Sequence, residues 1–222
     1  MTRWRSQQRI TVIYLGVPMS EELAAQIFSS TRQIAWVGAV PLLGLLLAAT
    51  WFDVRSHRIP NKLVFWGALA GVLLHVTLPQ GQGFISVLPG GLGFLDALAG
   101  LGIGLAAFLP VYLLRAMGAG DVKLMAMVGA FLGPEQIWGA MFGVVLAGGV
   151  LAIVVALRQG VFVRMLHNIR LMLSGSLFQV VTGGMPTVES GSPPAAKLPY
   201  GLAIALGTLS YLAYHASSVG FI

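Results

Sequence analysis

Cysteine is absent from this chain, and charge is scarce: only 9% of the 222 residues are Asp, Glu, Lys or Arg. The first absence excludes a disulfide framework, thiol catalysis and a Cys-ligated zinc site. The second excludes an ordinary soluble surface, since soluble domains carry about 25% charged residues. Acid is the scarcer sign, with seven Asp+Glu against 13 Lys+Arg and a net charge of +6. Aspartate occurs only as Asp53, Asp96 and Asp121. No His-Glu-x-x-His stretch occurs, and the four histidines are scattered, so there is no local sign of a zinc hydrolase or a Ser–His pair. Neither a metal nor an organic cofactor is expected.

What fills the chain is apolar: 57% of residues are hydrophobic, in runs broken by Pro and Gly. Spanning helices need about 20 such residues. Candidate spans are Ile34–Phe52, Leu63–Leu78, Phe94–Leu114, a short Asp121–Leu132, Ile137–Leu157 and Leu198 to about Val219. The expected fold is therefore all-α, a polytopic membrane protein of about six transmembrane helices. Residues 1–33 read as an N-terminal tail and 34–222 as one membrane domain.

The gaps alternate in charge. Arg55, Arg58 and Lys62 follow the first span, Arg115 and Lys123 flank the gap after the third, and Arg158, Arg164, Arg170 and Lys197 follow the fifth. The two gaps between, 79–93 and 133–136, hold no basic residue. This distribution reads as topology rather than nucleic-acid binding: the basic side is cytoplasmic. Both ends of the chain are then expected outside. From Arg158 to Gly183, apolar and basic residues interleave as in an amphipathic helix lying in the interface. Thr182–Lys197 reads as a flexible loop. The pairs Gly67/Gly71, Gly100/Gly104 and Gly129/Gly133 sit four apart in apolar runs, a spacing that lets helices approach closely.

An acid inside a span costs about 2.5–3.5 kcal/mol on insertion scales. Asp53 ends the first span and Asp121 starts the fourth, on the same side by this topology; Asp96 starts the third on the opposite side. Two carboxylates held close share one proton. Such a pair can activate water, one carboxylate taking its proton while the other polarises a carbonyl. Asp121 follows Gly118-Ala119-Gly120, and the two glycines allow dihedrals closed to other residues and close approach of a substrate backbone. His57, close to Asp53, reads as an exposed loop histidine, and Asp96 as a solvated interfacial acid. Lys123 is placed either to hold a substrate carboxylate or to snorkel to the interface.

Three segments, taken in order, resemble the prepilin peptidases, membrane aspartyl proteases of the Gly-x-Gly-Asp type. They are Asp53-Val54-Arg55-Ser56-His57-Arg58-Ile59-Pro60-Asn61, Gly118-Ala119-Gly120-Asp121-Val122-Lys123-Leu124, and Leu198-Pro199-Tyr200-Gly201 with the helix that follows. The resemblance covers roughly Ile34 to the C-terminus. It implies Asp53 and Asp121 as the catalytic pair, with Pro60, Asn61, Gly118, Gly120, Lys123, Pro199, Tyr200 and Gly201 supporting the site or binding substrate. It also implies a prepilin or pseudopilin as substrate, no nucleic-acid partner, and residence in a bacterial inner membrane with the site facing the cytoplasm. Larger members of that family also methylate the new N-terminus and carry a cysteine-rich insertion. This cysteine-free chain looks more like the small, peptidase-only members that serve Flp-type (Tad) pili, and methylation is not implied.

Competing readings are a presenilin-type protease, which usually has Tyr-Asp where this chain has Phe52-Asp53, a transporter with two coupling acids, and a non-catalytic scaffold of a pilus or secretion system. At the N-terminus, Arg3, Arg5, Arg9 and Arg32 run against an outside location. A chain that started at Met19 would lose three of them, so residues before Met19 are expected to be dispensable or not made. The oligomeric state is not legible.

Overall fold

The computed structural model describes residues 21–84, 86, 89–113, 117–160, 162 and 200–219, with side chains from Gln33 onward. The readings on residues before Met19, on the loop 182–197, on Pro199 and on most of the amphipathic stretch lie outside the described residues. Among the described residues, five helices follow one another: α1 (Glu21–Ser56), α2 (Asn61–Thr77), α3 (Phe94–Leu113), α4 (Ala119–Arg158) and α5 (Tyr200–Val219). Three contain stretches long and apolar enough to cross a membrane: Gln33–Ser56 within α1, Phe94–Leu113 and Ala119–Arg158. The 17-residue α2 is apolar but shorter. The first helix is already formed at Glu21, well before the apolar run at Ile34, because apolarity marks the membrane-crossing part of a helix and not its ends.

The fourth and fifth expected spans are two helices separated in the expected gap. They run together as the 40-residue α4, and the break between them is a single residue, Gly133, with φ 77 and ψ 179. Only glycine enters that region without strain. Pro134 comes next, where its missing N–H costs nothing because a new helical run begins. The contacts show that the chain reverses there. A Cβ added at Gly129 would strike Gly100 on α3, and one added at Gly104 would strike Met125. This first part of α4 therefore runs antiparallel to α3. Beyond the break, Gly139 lies against Tyr211, Gly143 against Gly207 and Gly148 near Ala203, so the second part runs antiparallel to α5. The expected close approaches at the small-residue pairs are present: Gly71 packs on the Ala130 backbone and Gly67 on Met127.

The first part of α4 is the axle of the bundle. Leu124, Met125, Met127, Val128, Ala130 and Phe131 are fully buried, alongside Leu42 and Leu46 of α1. Large apolar side chains point outward instead: Trp36, Trp51, Phe65, Trp66 and Phe142 are all exposed. Facing lipid, these groups are at home; in water, patches of this extent promote association. The segment between α2 and α3 folds into a small cap. Gln80 bridges Gly91 and Gly83 bridges Gly90. Phe84 tucks beneath, buried against Gly38 of α1 and stacked on His75 at 4.3 Å.

Candidate active site

Asp53 lies one turn from the end of α1, and Asp121 is the third residue of α4. Both are 7% exposed, and they are the only buried carboxylates among the described residues. They come together at one end of the bundle, close enough for the charge of Asp53 to be felt at Asp121. Each is anchored by a backbone amide. Gly201 N–H donates to Asp53 Oδ2 at 2.7 Å, and Gly118 N–H donates to Asp121 Oδ2 at 3.1 Å. Hydrogen bonds from an amide to a charged oxygen are among the stronger kind. The Leu202 amide, next along α5, adds a weaker interaction with Asp53.

The anchors explain the glycines. Gly201 starts α5 against Asp53, and a Cβ there would stand 2.8 Å from Asp53 Oδ2 and 2.9 Å from its Cβ. No side chain fits without moving the carboxylate. A Cβ at Gly118 would stand 3.1 Å from Asp121 Oδ2, tight but not prohibitive. Glycine at 118 and 120 allows dihedrals closed to other residues, but this freedom is not used. Gly118 has φ −80 and ψ 152, and neither residue has positive φ. The reason is positional: Gly118 is the N-cap of α4, and an N-cap takes ordinary extended dihedrals. Asp121 reaches back from the third helical position to the N-cap amide, so its capping role and its place in the site are one arrangement.

Of the other residues singled out in sequence, those described lie on the segments that flank this pair. Pro60 precedes α2 and its carbonyl accepts from Leu63 N–H at 3.1 Å. Asn61, the first residue of α2, accepts through Oδ1 from Lys123 Nζ at 3.1 Å, which ties α2 to α4 at the mouth of the site. Gly120 rests on Ile59. Tyr200, half-buried, is within electrostatic reach of Asp121. His57 is exposed, follows the last residue of α1 with φ 49, and lies within electrostatic reach of Asp53. Asp96 does not join them. It is exposed at the opposite end, beside Glu135, Gln136 and His215 around a cavity of about 590 Å³. Among the described residues, no group of three or more His, Asp or Glu side chains stands ready for a metal ion.

Sequence reasoning passed over two residues. His75 is 1% exposed and holds the far end together: its Nδ1 accepts from Leu92 N–H at 3.1 Å, and its Nε2 lies 2.9 Å from the Phe131 carbonyl. Since Nδ1 accepts, Nε2 carries the proton and donates. The signal was available, because an ionisable residue inside an apolar run is a site candidate by default. Thr50, one turn before Asp53, carries a buried hydroxyl with no partner; no motif contains it.

Residues 40–157 match the type IV leader peptidase family. Similar proteins include a prepilin leader peptidase/N-methyltransferase of Myxococcus xanthus, 31% identical over 164 residues, which are 67% of this chain and 44% of that protein. One of the same name from Pectobacterium carotovorum is 29% identical over 141 residues, 64% of this chain and 47% of its own. A third, from Aeromonas salmonicida, is 28% identical over 152 residues, 62% of this chain and 50% of its own. The chain thus spans about half the length of these relatives. No solved structure matches it.

Proposed function

Because the chain belongs to the type IV leader peptidase family, we propose that it is a membrane aspartyl endopeptidase that removes the leader peptide from prepilins or pseudopilins, with Asp53 and Asp121 as its catalytic pair. The observation that carries this reading is the pairing itself. Two carboxylates 68 positions apart in sequence, each tied to a glycine amide, are buried within electrostatic reach of each other at one end of an apolar bundle.

The chemistry follows from that pairing. Two carboxylates sharing one proton form an acid and a base in a single site. The ionised one takes a proton from a water molecule between them. The protonated one donates to the scissile carbonyl oxygen as the water oxygen bonds to its carbon. The tetrahedral intermediate then collapses. Its C–N bond breaks, the leaving amine takes a proton, and the pair returns to one shared proton. The glycine anchors keep either carboxylate from turning away, so the geometry is set before substrate arrives. The helical substrate enters from the bilayer, and its leader junction meets the pair at the end of the bundle.

The N-methyltransferase activity in the relatives' names is said of those proteins; the reading here is confined to proteolysis. Service to Flp-type pili, and a site facing the cytoplasm of a bacterial inner membrane, belong to the same proposal. Co-expression with a candidate prepilin tests it. The expected result is leader loss, seen as a gel shift, with wild type and none with Asp53→Asn or Asp121→Asn, both variants still inserting in the membrane. Cleavage that survives either substitution overturns the reading.

A further inference from the structure

A threonine in a helix usually satisfies its hydroxyl by donating to the carbonyl four residues back. Other helical hydroxyls here do so: Ser56 to Phe52 O at 2.7 Å, Thr77 to Leu73 O at 2.8 Å and Ser210 to Leu206 O at 2.8 Å. Thr50 does not. Its Oγ1 is buried without a partner, although the residue as a whole is only half-buried. Its rotamer thus turns the polar atom inward, away from lipid, without giving it a partner in the bundle. A hydroxyl in this state costs about 1–3 kcal/mol.

Position gives the orphan a use. Thr50 precedes Asp53 by three residues on α1, so the two share a face, with Cβ atoms about 5–6 Å apart in such a pair. Leu42, Leu46, Ala49 and Asp53 mark that face as the buried one. Asp53 is held through Oδ2 by Gly201 N–H, from the side of α5. The hydroxyl of Thr50 stands one turn deeper in the bundle. A separation of this size suits a single bridging water, which needs at least two polar partners.

We propose that Thr50 is a positioning residue for Asp53: through one bound water its hydroxyl donates toward the Asp53 oxygen that Gly201 does not hold, and so fixes the rotation of the carboxylate against Asp121. This rests on the proposed protease reading. The side chain touches neither substrate nor the reacting water; it acts through Asp53. The carboxylate is then held from both sides, by the α5 amides of Gly201 and Leu202 on one and by Thr50 on the other. Thr208 is the other buried hydroxyl without a partner among the described residues. It lies two turns along α5 from Gly201, too far to reach Asp53, and serves as the internal comparison.

The test compares Thr50→Val, which keeps shape and removes the hydroxyl, with Thr50→Ser, which keeps the hydroxyl, and with Thr208→Val. Purified full-length chain in lipid nanodiscs is assayed on a synthetic prepilin peptide, reading kcat, KM and the pH–rate profile. The proposal expects Thr50→Val to lower kcat about tenfold, with KM unchanged and a displaced pH–rate profile. Thr50→Ser should restore both, and Thr208→Val should leave both at wild-type values. Wild-type kcat in Thr50→Val overturns the proposal, and so does a Thr50→Ser as slow as Thr50→Val, which would assign Thr50 to packing. An infrared titration of the buried carboxyls gives a readout that needs no substrate. Asp53→Asn identifies the band, Thr50→Val is expected to move its midpoint, and Thr50→Ser to leave it in place. An unmoved midpoint in Thr50→Val overturns the proposal even where the wild type cleaves nothing. A wild type that cleaves nothing counts against the protease reading alone.

Discussion

The two aspartates differ in how far their surroundings allow them to move. Asp121 is tied to the N-cap of its own helix, three residues away. Asp53 is tied to a helix 148 positions further along the chain. The second tie is the more demanding, because it requires a residue without a side chain at Gly201. Gly201→Ala is therefore expected to insert and fold, since alanine is the better helix former, yet to cleave at least about a hundredfold more slowly, the displaced carboxylate having lost its alignment. Initial rates on a prepilin peptide, with circular dichroism as a check on folding, measure this. Near wild-type cleavage would show that Asp53 needs no such tie. Asp96 is the control among the acids. It lies exposed at the other end of the bundle, and Asp96→Asn is expected to keep cleavage within about twofold, as surface substitutions usually do. An Asp96→Asn protein as inactive as Asp53→Asn would mean that the wrong pair has been assigned.

At the scale of elements, the break in α4 decides the shape of the molecule. Fourteen residues from Ala119 to Leu132 reach about 21 Å at 1.5 Å per residue, and the chain then turns back at Gly133. A helix that stops leaves carbonyls without donors, and His75 supplies one to Phe131 O while its other nitrogen takes the Leu92 amide. One imidazole thus joins α2, the break in α4 and the entry to α3. Two substitutions probe this junction. Gly133→Ala forces a side chain into positive φ, about 1–2 kcal/mol, and drives its Cβ into Leu92. His75→Ala empties a buried site and strands both partners, an expected loss of about 2–4 kcal/mol. Both should lower the thermal midpoint in detergent. His75→Ala should still cleave at low temperature, because the junction lies at the end away from the aspartates. Activity lost in proportion to Asp53→Asn, with the midpoint unchanged, would place His75 in the chemistry instead.

This scale also shows what sequence can and cannot reveal. The helices were legible because lipid demands long apolar runs, and the positions of Asp53 and Asp121 were legible because each stands in a short motif at the end of such a run. The glycine pairs were legible because close helix contact leaves a spacing of four. The reversal inside α4 was half legible: Gly133-Pro134 reads as a gap, but sequence does not distinguish a loop from a single left-handed residue. The Gly201 anchor, the Lys123–Asn61 bond and the His75 junction were not legible as contacts. Each joins residues far apart in the chain, and no periodicity encodes which helices become neighbours. Thr50 left no mark at all, since a hydroxyl in an apolar run ordinarily bonds its own helix.

At the scale of the whole molecule, charge is sorted by end. Arg55, Arg58, Lys62, Lys123 and Arg158 are exposed, and the course of the helices puts all of them at the end that holds the aspartates. The exposed acids Asp96 and Glu135 lie at the other end, beside the cap. In a bilayer this asymmetry sets orientation, because positive charge is retained on the cytoplasmic face. It also has a chemical consequence. The two buried carboxylates then open among the basic residues, where an anionic headgroup layer is drawn in. The absence of cysteine makes the orientation directly measurable, since any introduced thiol is unique. Arg58→Cys and Gln159→Cys report the site end, Gln82→Cys and Glu135→Cys the cap end, and all four positions are exposed. With a membrane-impermeant maleimide on intact spheroplasts, Gln82→Cys and Glu135→Cys are expected to label at once. Arg58→Cys and Gln159→Cys should label only after the membrane is opened. If all four labelled alike from outside, α1, α3 and α4 would not cross the bilayer. The reverse pattern would put the aspartate pair on the outer face, away from any precursor whose leader remains in the cytoplasm, and the proposed substrate would have to be abandoned along with the orientation.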